Sequence, residues 1–422
     1  MDNVIKILTD RGFIEASTSD ELVDLCKKPQ RIYCGFDPTS DSLHLGNLVG
    51  IMGLAWFQQC GHTPVAIVGG ATGMIGDPSG KSSERQLLDE DSLKRNLAGI
   101  TENLRAILQF DVSNAPIILN NYEWFKEFSF IDFLRNVGKH FRLGSMLAKD
   151  SVRARLNSEE GMSFTEFSYQ LLQAYDFYYL QKNYEVSIQI GGSDQWGNIT
   201  AGTDFVRRLN GSQVYGLTFP LLTRSDGQKF GKSEKGAIWL SPKKLSSYEF
   251  YQHLYRVSDE DVIKLLKMLT FLPIEEIVSL EKAMSRSDYV PNSAQKKLAE
   301  EVTRIVHGEE GLQTALKVTQ GAAPGSQTVL DAEMLEVIAR DMPSATLSHN
   351  KVSGQLLLDL IVQVGLQPSK GAVRRLIKNG GVYLNNAKVT DESYVLEKED
   401  LIDDRFLILA VGKKNKLLVK IA

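Results

Sequence analysis

A chain of 422 residues exceeds what one ordinary core accommodates, so two or three domains are expected, the first of them large. Hydrophobic content of 43% and charged content of 24% exclude a disordered, collagenous or coiled-coil composition, and no apolar run is long enough to cross a bilayer. A formal net charge of −4 gives no overall attraction to nucleic acid, yet residues 340–422 hold 13 Lys and Arg against 9 Asp and Glu, so a phosphate-facing module is expected there.

The opening MDNVIKILTDRGFIEAS carries two acidic residues within its first ten and no cleavable site after a hydrophobic run, so it reads as a mature helix and the cytoplasm is the expected compartment. Cys26, Cys34 and Cys60 are odd in number and form no CxxC pair, which argues against a disulfide framework and against zinc. The short apolar runs RIYCGFD, PVAIVGG, APIILN, VSIQIGG and GLTFPLL read as buried parallel strands, and residues 45–59, 92–109, 164–182 and 194–209 between them as helices. That alternation predicts a doubly wound α/β sheet. Beyond Ser246 charged helical segments take over, at 247–256, 259–269, 274–285 and 291–307, and QGAAPGSQT at 320–328 has a linker's composition. The expected division is a catalytic domain over 1–245, a helical domain over 246–319, a linker over 320–347 and a small α+β domain over 348–422.

Residues 33–47, YCGFDPTSDSLHLGN, run from the end of the first strand into an apolar helix. Gly35 and Gly46 let a ligand approach the backbone, the helix N-terminus offers free N–H groups, and Thr39, His44 and Asn47 supply donors for phosphate oxygens. Two more glycine-rich segments, GGATGMIGDPSGKSSER at 69–85 and QIGGSDQWGNI at 189–199, follow strands, and strand carboxyl ends are where such sheets bind ligands. Neither is a Walker loop or a dinucleotide fingerprint, so a kinase or dehydrogenase reading is weak. KFGKS, with Lys229 and Lys232 flanking Gly231, suits a mobile loop that closes over a triphosphate. On the helix FTEFSYQLLQAYDFYYLQK, Tyr169, Gln173 and Asp176 stand four and three apart and so share one face.

HLGN closely resembles the HIGH signature of class I aminoacyl-tRNA synthetases, with Asn47 in place of the second histidine, and Lys229 to Ser233 match the KMSKS loop of the same class. QIGGSDQWGNITAG and MSFTEFSYQLLQAYDF narrow the resemblance to the bacterial-type tyrosyl-tRNA synthetases, over nearly the whole chain. The resemblance implies a Rossmann-like catalytic domain that activates tyrosine with ATP and charges tRNA(Tyr), with Mg2+ accompanying ATP and no zinc. It implies that Tyr33 and Asp176 hold the phenolic hydroxyl, that Asp77, Tyr169 and Gln173 hold the α-ammonium group, and that Asp194 and Gln195 serve the ribose and substrate side. Asp37, Gly191 and Gly192 would line the adenosine, Lys229, Lys232 and Ser233 would meet the pyrophosphate, and Lys81 and Arg85 would sit on a second mobile loop near it. The C-terminal segment VSGQLLLDLIVQVGLQPSKGAVRRLIKNGGVYLNNAKV resembles the alpha-L RNA-binding motif, placing Lys370, Arg374, Arg375 and Lys378 toward RNA, and Arg207 and Arg208 are expected at the acceptor arm. A homodimer through residues 122–164 follows from the resemblance too. Two rivals stand beside this reading: a non-charging RNA-binding scaffold of synthetase ancestry, and another nucleotidyl transferase that makes a small adenylate.

Overall fold

The computed structural model describes residues 3–79, 89–159, 161–225, 227, 230–233, 236–321, 323–326, 330–412 and 415–422, apart from the side chains of residues 150, 151, 232, 233, 340, 341 and 350. The chain forms two compact units, Met1–Leu245 with Leu254–His307, and Ser246–His253 with Gly308–Ala422.

In the first unit the strands are β1 (Ala16–Ser17), β2 (Arg31–Phe36), β3 (Thr63–Val68), β4 (Ile117–Asn120), β5 (Ile188–Gly192) and β6 (Tyr215–Phe219). They form one sheet in the order β1-β6-β5-β2-β3-β4, parallel except for β1, which lies antiparallel on β6. The expected doubly wound sheet is therefore present. Its strand order reverses between β2 and β5, and at such a switch point the loops leaving neighbouring carboxyl ends part and open a crevice. Continuous burial along β3 and β6 explains why these strands read as unbroken apolar runs.

Helix Leu45–Gln59 crosses from β2 to β3 and is buried along nearly its whole length. Helix Phe164–Tyr184 packs along helix Trp196–Asn210, where Gly202 admits the Phe177 ring: a Cβ on Gly202 would stand 3.1 Å from it. Ser163 caps the first of these helices by accepting from the Glu166 N–H at 3.2 Å, and one turn on, Glu166 and Arg155 form a bidentate pair with both bonds 2.9 Å long. Both side chains are buried, and Arg155 also donates to the Gly161 carbonyl, which ties the preceding loop to the helix start.

The helices within Leu254–His307, expected in a separate domain, cluster with the sheet unit. The physical reason includes Arg11. Its buried guanidinium donates to the carbonyls of Lys267, Thr270 and Leu272 and lies 4.3 Å from the Trp56 ring centre, while Trp56 meets Phe271 edge-on. Burial pulls the Arg11 pKa down to about 10, still far above neutrality, so the charge persists.

In the second unit, strands Ser344–Leu347, Val382–Leu384, Ala387–Lys388, Phe406–Val411 and Asn415–Ile421 make one sheet, antiparallel except where Ser344–Leu347 joins Asn415–Ile421. Helices Leu357–Gln363 and Lys370–Lys378 pack their apolar sides into its core through Leu357, Leu360, Val373 and Ile377. The stretch 320–347, expected as a linker, contains helix Ala332–Asp341 and the strand Ser344–Leu347. Met334, Leu335 and Ile338 form that helix's buried face, an apolar spacing hidden in the sequence behind the glycine-rich segment before it.

Candidate active site

The crevice begins where β2 ends. Gly35 is exposed there, and a Cβ on it would meet nothing within 4 Å, so the backbone is open to a ligand. Asp37 follows, accepting from the Tyr169 hydroxyl at 2.7 Å and from the Thr72 hydroxyl at 2.7 Å. Thr39 is exposed, its N–H bonded to the Asp37 carbonyl at 2.9 Å.

His44 takes an extended backbone conformation and caps helix Leu45–Gln59, its Nδ1 accepting from the Gly46 N–H at 3.1 Å while Asn47 Oδ1 accepts from the His44 N–H at 3.1 Å. With Nδ1 an acceptor, the neutral ring carries its proton on Nε2, and Asn47 keeps its amide N–H groups as donors. Thus the histidine and asparagine predicted to donate to phosphate spend their acceptors on the helix start.

The second signature reaches this same helix start. Ile238 donates to the Gly231 carbonyl at 3.0 Å, Leu45 donates to the Ile238 carbonyl at 2.8 Å, and Leu240 donates to the Leu43 carbonyl at 2.8 Å. A Cβ on Gly231 would stand 2.9 Å from the Gly46 nitrogen, so glycine is what allows the two signature backbones to touch. Lys232 and Ser233 form a short antiparallel pair with Gly236 and Ala237. Lys81, Arg85 and Lys229 lie outside the described residues, as do the side chains of Lys232 and Ser233.

Helix Phe164–Tyr184 and β2 frame the inner end of the crevice. Tyr33 is fully buried, edge-on to Phe177, and its hydroxyl has no hydrogen-bond partner among the described residues. Burial, and after it the Asp176 charge, hold the Tyr33 phenol well above its ordinary pKa. Asp176 is 3% exposed and accepts from Trp124 Nε1 at 2.9 Å and Asn121 Nδ2 at 3.1 Å. Burial still pushes its carboxyl up to about 8, against those two donors. Toward the other end, the buried Asp77 accepts from Gln195 Nε2 at 2.6 Å and the Ser79 N–H at 2.9 Å, with Asn198 bonded to Ser79. Tyr169 and Asp176 are buried and Gln173 is half-buried on helix Phe164–Tyr184, at the spacings of four and three that put them on one face.

At the end of β5, Gly191 lies against Gln195 and Gly192 against Asp194; a Cβ on Gly192 would stand 2.6 Å from the Asp194 carboxylate. Sequence reasoning missed Thr72, Asn121, Trp124 and Gln189. The last pairs opposite Tyr33, with its Oε1 buried and unpartnered among the described residues. Asn121 and Trp124 were discoverable, because NYEWF directly follows a strand's carboxyl end.

The basic residues predicted to face RNA lie on two helices, one in each unit. Arg207 and Arg208 share Asp204 at 2.5 Å on helix Trp196–Asn210. In the second unit Lys370, Arg374, Arg375 and Lys378 are exposed on one helix; Lys370 pairs with Asp359 at 2.8 Å and Lys378 with Glu392 at 3.3 Å. Among the described residues no group of three or more His, Cys, Asp or Glu gathers to hold a metal, and no helix is long and apolar enough to cross a membrane.

Residues 26–322 match the family of tRNA synthetases class I (W and Y), and residues 333–419 match the tyrosine–tRNA ligase SYY-like C-terminal domain. The chain is 64% identical over 422 residues to the tyrosine–tRNA ligase of Protochlamydia amoebophila (strain UWE25), covering 100% of this chain and 99% of the relative. It is 55% identical over 428 residues to the chloroplastic/mitochondrial tyrosine–tRNA ligase of Arabidopsis thaliana, covering 100% of this chain and 84% of that one. Among solved structures, a C-terminally truncated Aspergillus nidulans mitochondrial tyrosyl-tRNA synthetase superposes with a TM-score of 0.67 at 31% identity, covering 75% of this chain and 92% of that one.

Proposed function

We propose, from the premise that this chain belongs to the bacterial-type class I tyrosyl-tRNA synthetases and is a tyrosine–tRNA ligase, a residue-level account of how its crevice works. Tyrosine enters with its phenolic hydroxyl between Tyr33 and Asp176. The observation that carries this is the fully buried Tyr33 hydroxyl, without a hydrogen-bond partner among the described residues, beside a carboxyl group already oriented by Asn121 and Trp124. A phenol satisfies both groups, whereas phenylalanine would leave the Tyr33 hydroxyl desolvated and unpaired and Asp176 facing carbon, the kind of mismatch a binding site rejects strongly. Tyrosyl-tRNA synthetases are known to reject phenylalanine in this way. Asp77, Tyr169 and Gln173 hold the α-ammonium group, with Gln195 steadying Asp77.

ATP lies across the ends of β2 and β5, on Gly35, Asp37, Thr39, Gly46, Gly191, Gly192 and Asp194, with its phosphates at the helix start formed by His44 and Asn47. The tyrosine carboxylate, already ionised, attacks the α-phosphorus and pyrophosphate leaves. No side chain acts as nucleophile, so acceleration comes from position and from fixed donors: His44 Nε2, the Asn47 amide, and the charges of Lys81, Arg85, Lys229 and Lys232 with Ser233 beside them. A hydroxyl of the terminal adenosine of tRNA(Tyr) then attacks the carbonyl carbon, releasing AMP and a proton. Magnesium bound to the ATP phosphates would supply charge neutralisation there.

Catalysis belongs to the first unit and RNA anchoring to the second, through Lys370, Arg374, Arg375 and Lys378, with Arg207 and Arg208 at the acceptor arm. The enzyme works as a homodimer in the cytoplasm. Exposed Phe130, Ile131, Leu143, Leu156 and Phe164 support the dimer, because so many large apolar side chains exposed within one segment of the chain favour association. Pyrophosphate exchange with each of the twenty amino acids tests the assignment: exchange with tyrosine alone is expected, and comparable exchange with phenylalanine or tryptophan overturns it.

A further inference from the structure

Thr72 begins the short turn of helix that follows β3, 3% exposed, and its hydroxyl joins two parts of the crevice. It donates to Asp37 Oδ1 at 2.7 Å and accepts from Asn121 Nδ2 at 3.0 Å. A hydroxyl has one proton, so giving it to Asp37 leaves the oxygen as the acceptor for the amide. Asn121 is fully buried and has its own direction fixed: its oxygen accepts from the Ala71 N–H at 2.8 Å, and its Nδ2 also donates to Asp176 Oδ2 at 3.1 Å. The bonds thus run outward from one amide, through Thr72 to Asp37 and directly to Asp176. Gly69 leaves room for this path, since a Cβ there would stand 2.2 Å from Asp37 Oδ1 and 2.3 Å from the Thr72 hydroxyl.

We propose that Thr72 is a positioning residue for tyrosine recognition, its hydroxyl holding Asp37 at one end of the crevice and Asn121, with Asp176, at the other. The proposal rests on the placement of tyrosine given above. Without the hydroxyl, Asn121 keeps a buried N–H that has lost its acceptor, and Asp37 loses the Thr72 hydroxyl as a donor while keeping that of Tyr169. The amide is then held against Asp176 by the Ala71 bond and its own bond to Asp176 alone.

Thr72→Val keeps the shape and removes the hydroxyl. In tyrosine-dependent pyrophosphate exchange it is expected to raise the tyrosine KM by roughly tenfold and to reduce the preference for tyrosine over phenylalanine by about as much, with a smaller change in kcat. Thr72→Ser restores the hydroxyl and should return both quantities to within about threefold of the parent. Thr72→Ala gives the same readout should the valine variant not fold. Unchanged KM and preference in the valine or alanine variant overturn the proposal, as does a serine variant impaired as badly as valine, which would assign the effect to packing. Asp176→Ala in the same assay separates the two levels: if it too keeps normal tyrosine affinity, the placement of tyrosine fails, and if it alone loses affinity, only the Thr72 link fails.

Discussion

Asp176→Asn is expected to change how the stability of the ligand-free first unit depends on pH. In the folded chain burial pushes the Asp176 carboxyl up to about 8, whereas in the unfolded chain it titrates near the ordinary ~3.9. Between those values the folded state keeps a proton that the unfolded state has released. Stability from this group is therefore complete below about pH 4 and falls by about 1.4 kcal/mol per pH unit until about pH 8. An asparagine does not titrate, so from about pH 5.5 to about pH 7.5 the variant gains about 3 kcal/mol relative to the parent. A constant offset of about 1–3 kcal/mol opposes it, because one amide oxygen now serves two donors, Asn121 and Trp124. Urea unfolding followed by tryptophan fluorescence at one fixed protein concentration reads the difference, since all four tryptophans belong to the first unit. A stability difference that stays flat across that pH interval would refute the reasoning.

Arg155→Met strands the Glu166 carboxylate, 1% exposed, and should cost about 3–5 kcal/mol by urea unfolding, most of it recovered when Glu166→Leu is added. Gly231→Ala drives a Cβ toward the Gly46 nitrogen and should slow adenylate formation by roughly 10- to 100-fold in rapid quench, with tyrosine affinity little changed. A normal activation rate there would show that the signature contact does not shape the phosphate site. Replacing Lys370, Arg374, Arg375 and Lys378 by glutamine should flatten the salt dependence of tRNA binding, the log–log slope losing up to about 3. An unaltered slope would place the RNA elsewhere.

Features set by near neighbours in the chain were legible in the sequence. The strand run into HLGN, the face shared by Tyr169, Gln173 and Asp176, and the alternation that builds the parallel sheet all depend on spacings of a few residues. What escaped were polar partners meeting across long separations. Asn121 and Trp124 lie more than 50 residues from Asp176, and no periodicity distinguishes an asparagine that orients a carboxylate from one that ends a strand. The attachment of Leu254–His307 to the sheet unit depends partly on Arg11, some 250 residues away. The helix Ala332–Asp341 was hidden for a different reason: a flexible composition over 320–328 was extended across a neighbour with a clear apolar face.

The first strand of the sheet lies beside the last, with Ala16 opposite Thr218, about 200 residues later in the chain. A ribosome adding about 5–20 residues per second needs roughly 10–40 s to cover that interval, and until then the early strand has no neighbour. The signature contact at Gly231 and Leu240 comes later still. Both segments of the phosphate site must therefore leave the exit tunnel before any adenylate chemistry is possible, and nascent chains halted before that point should present apolar strand surface to holding chaperones.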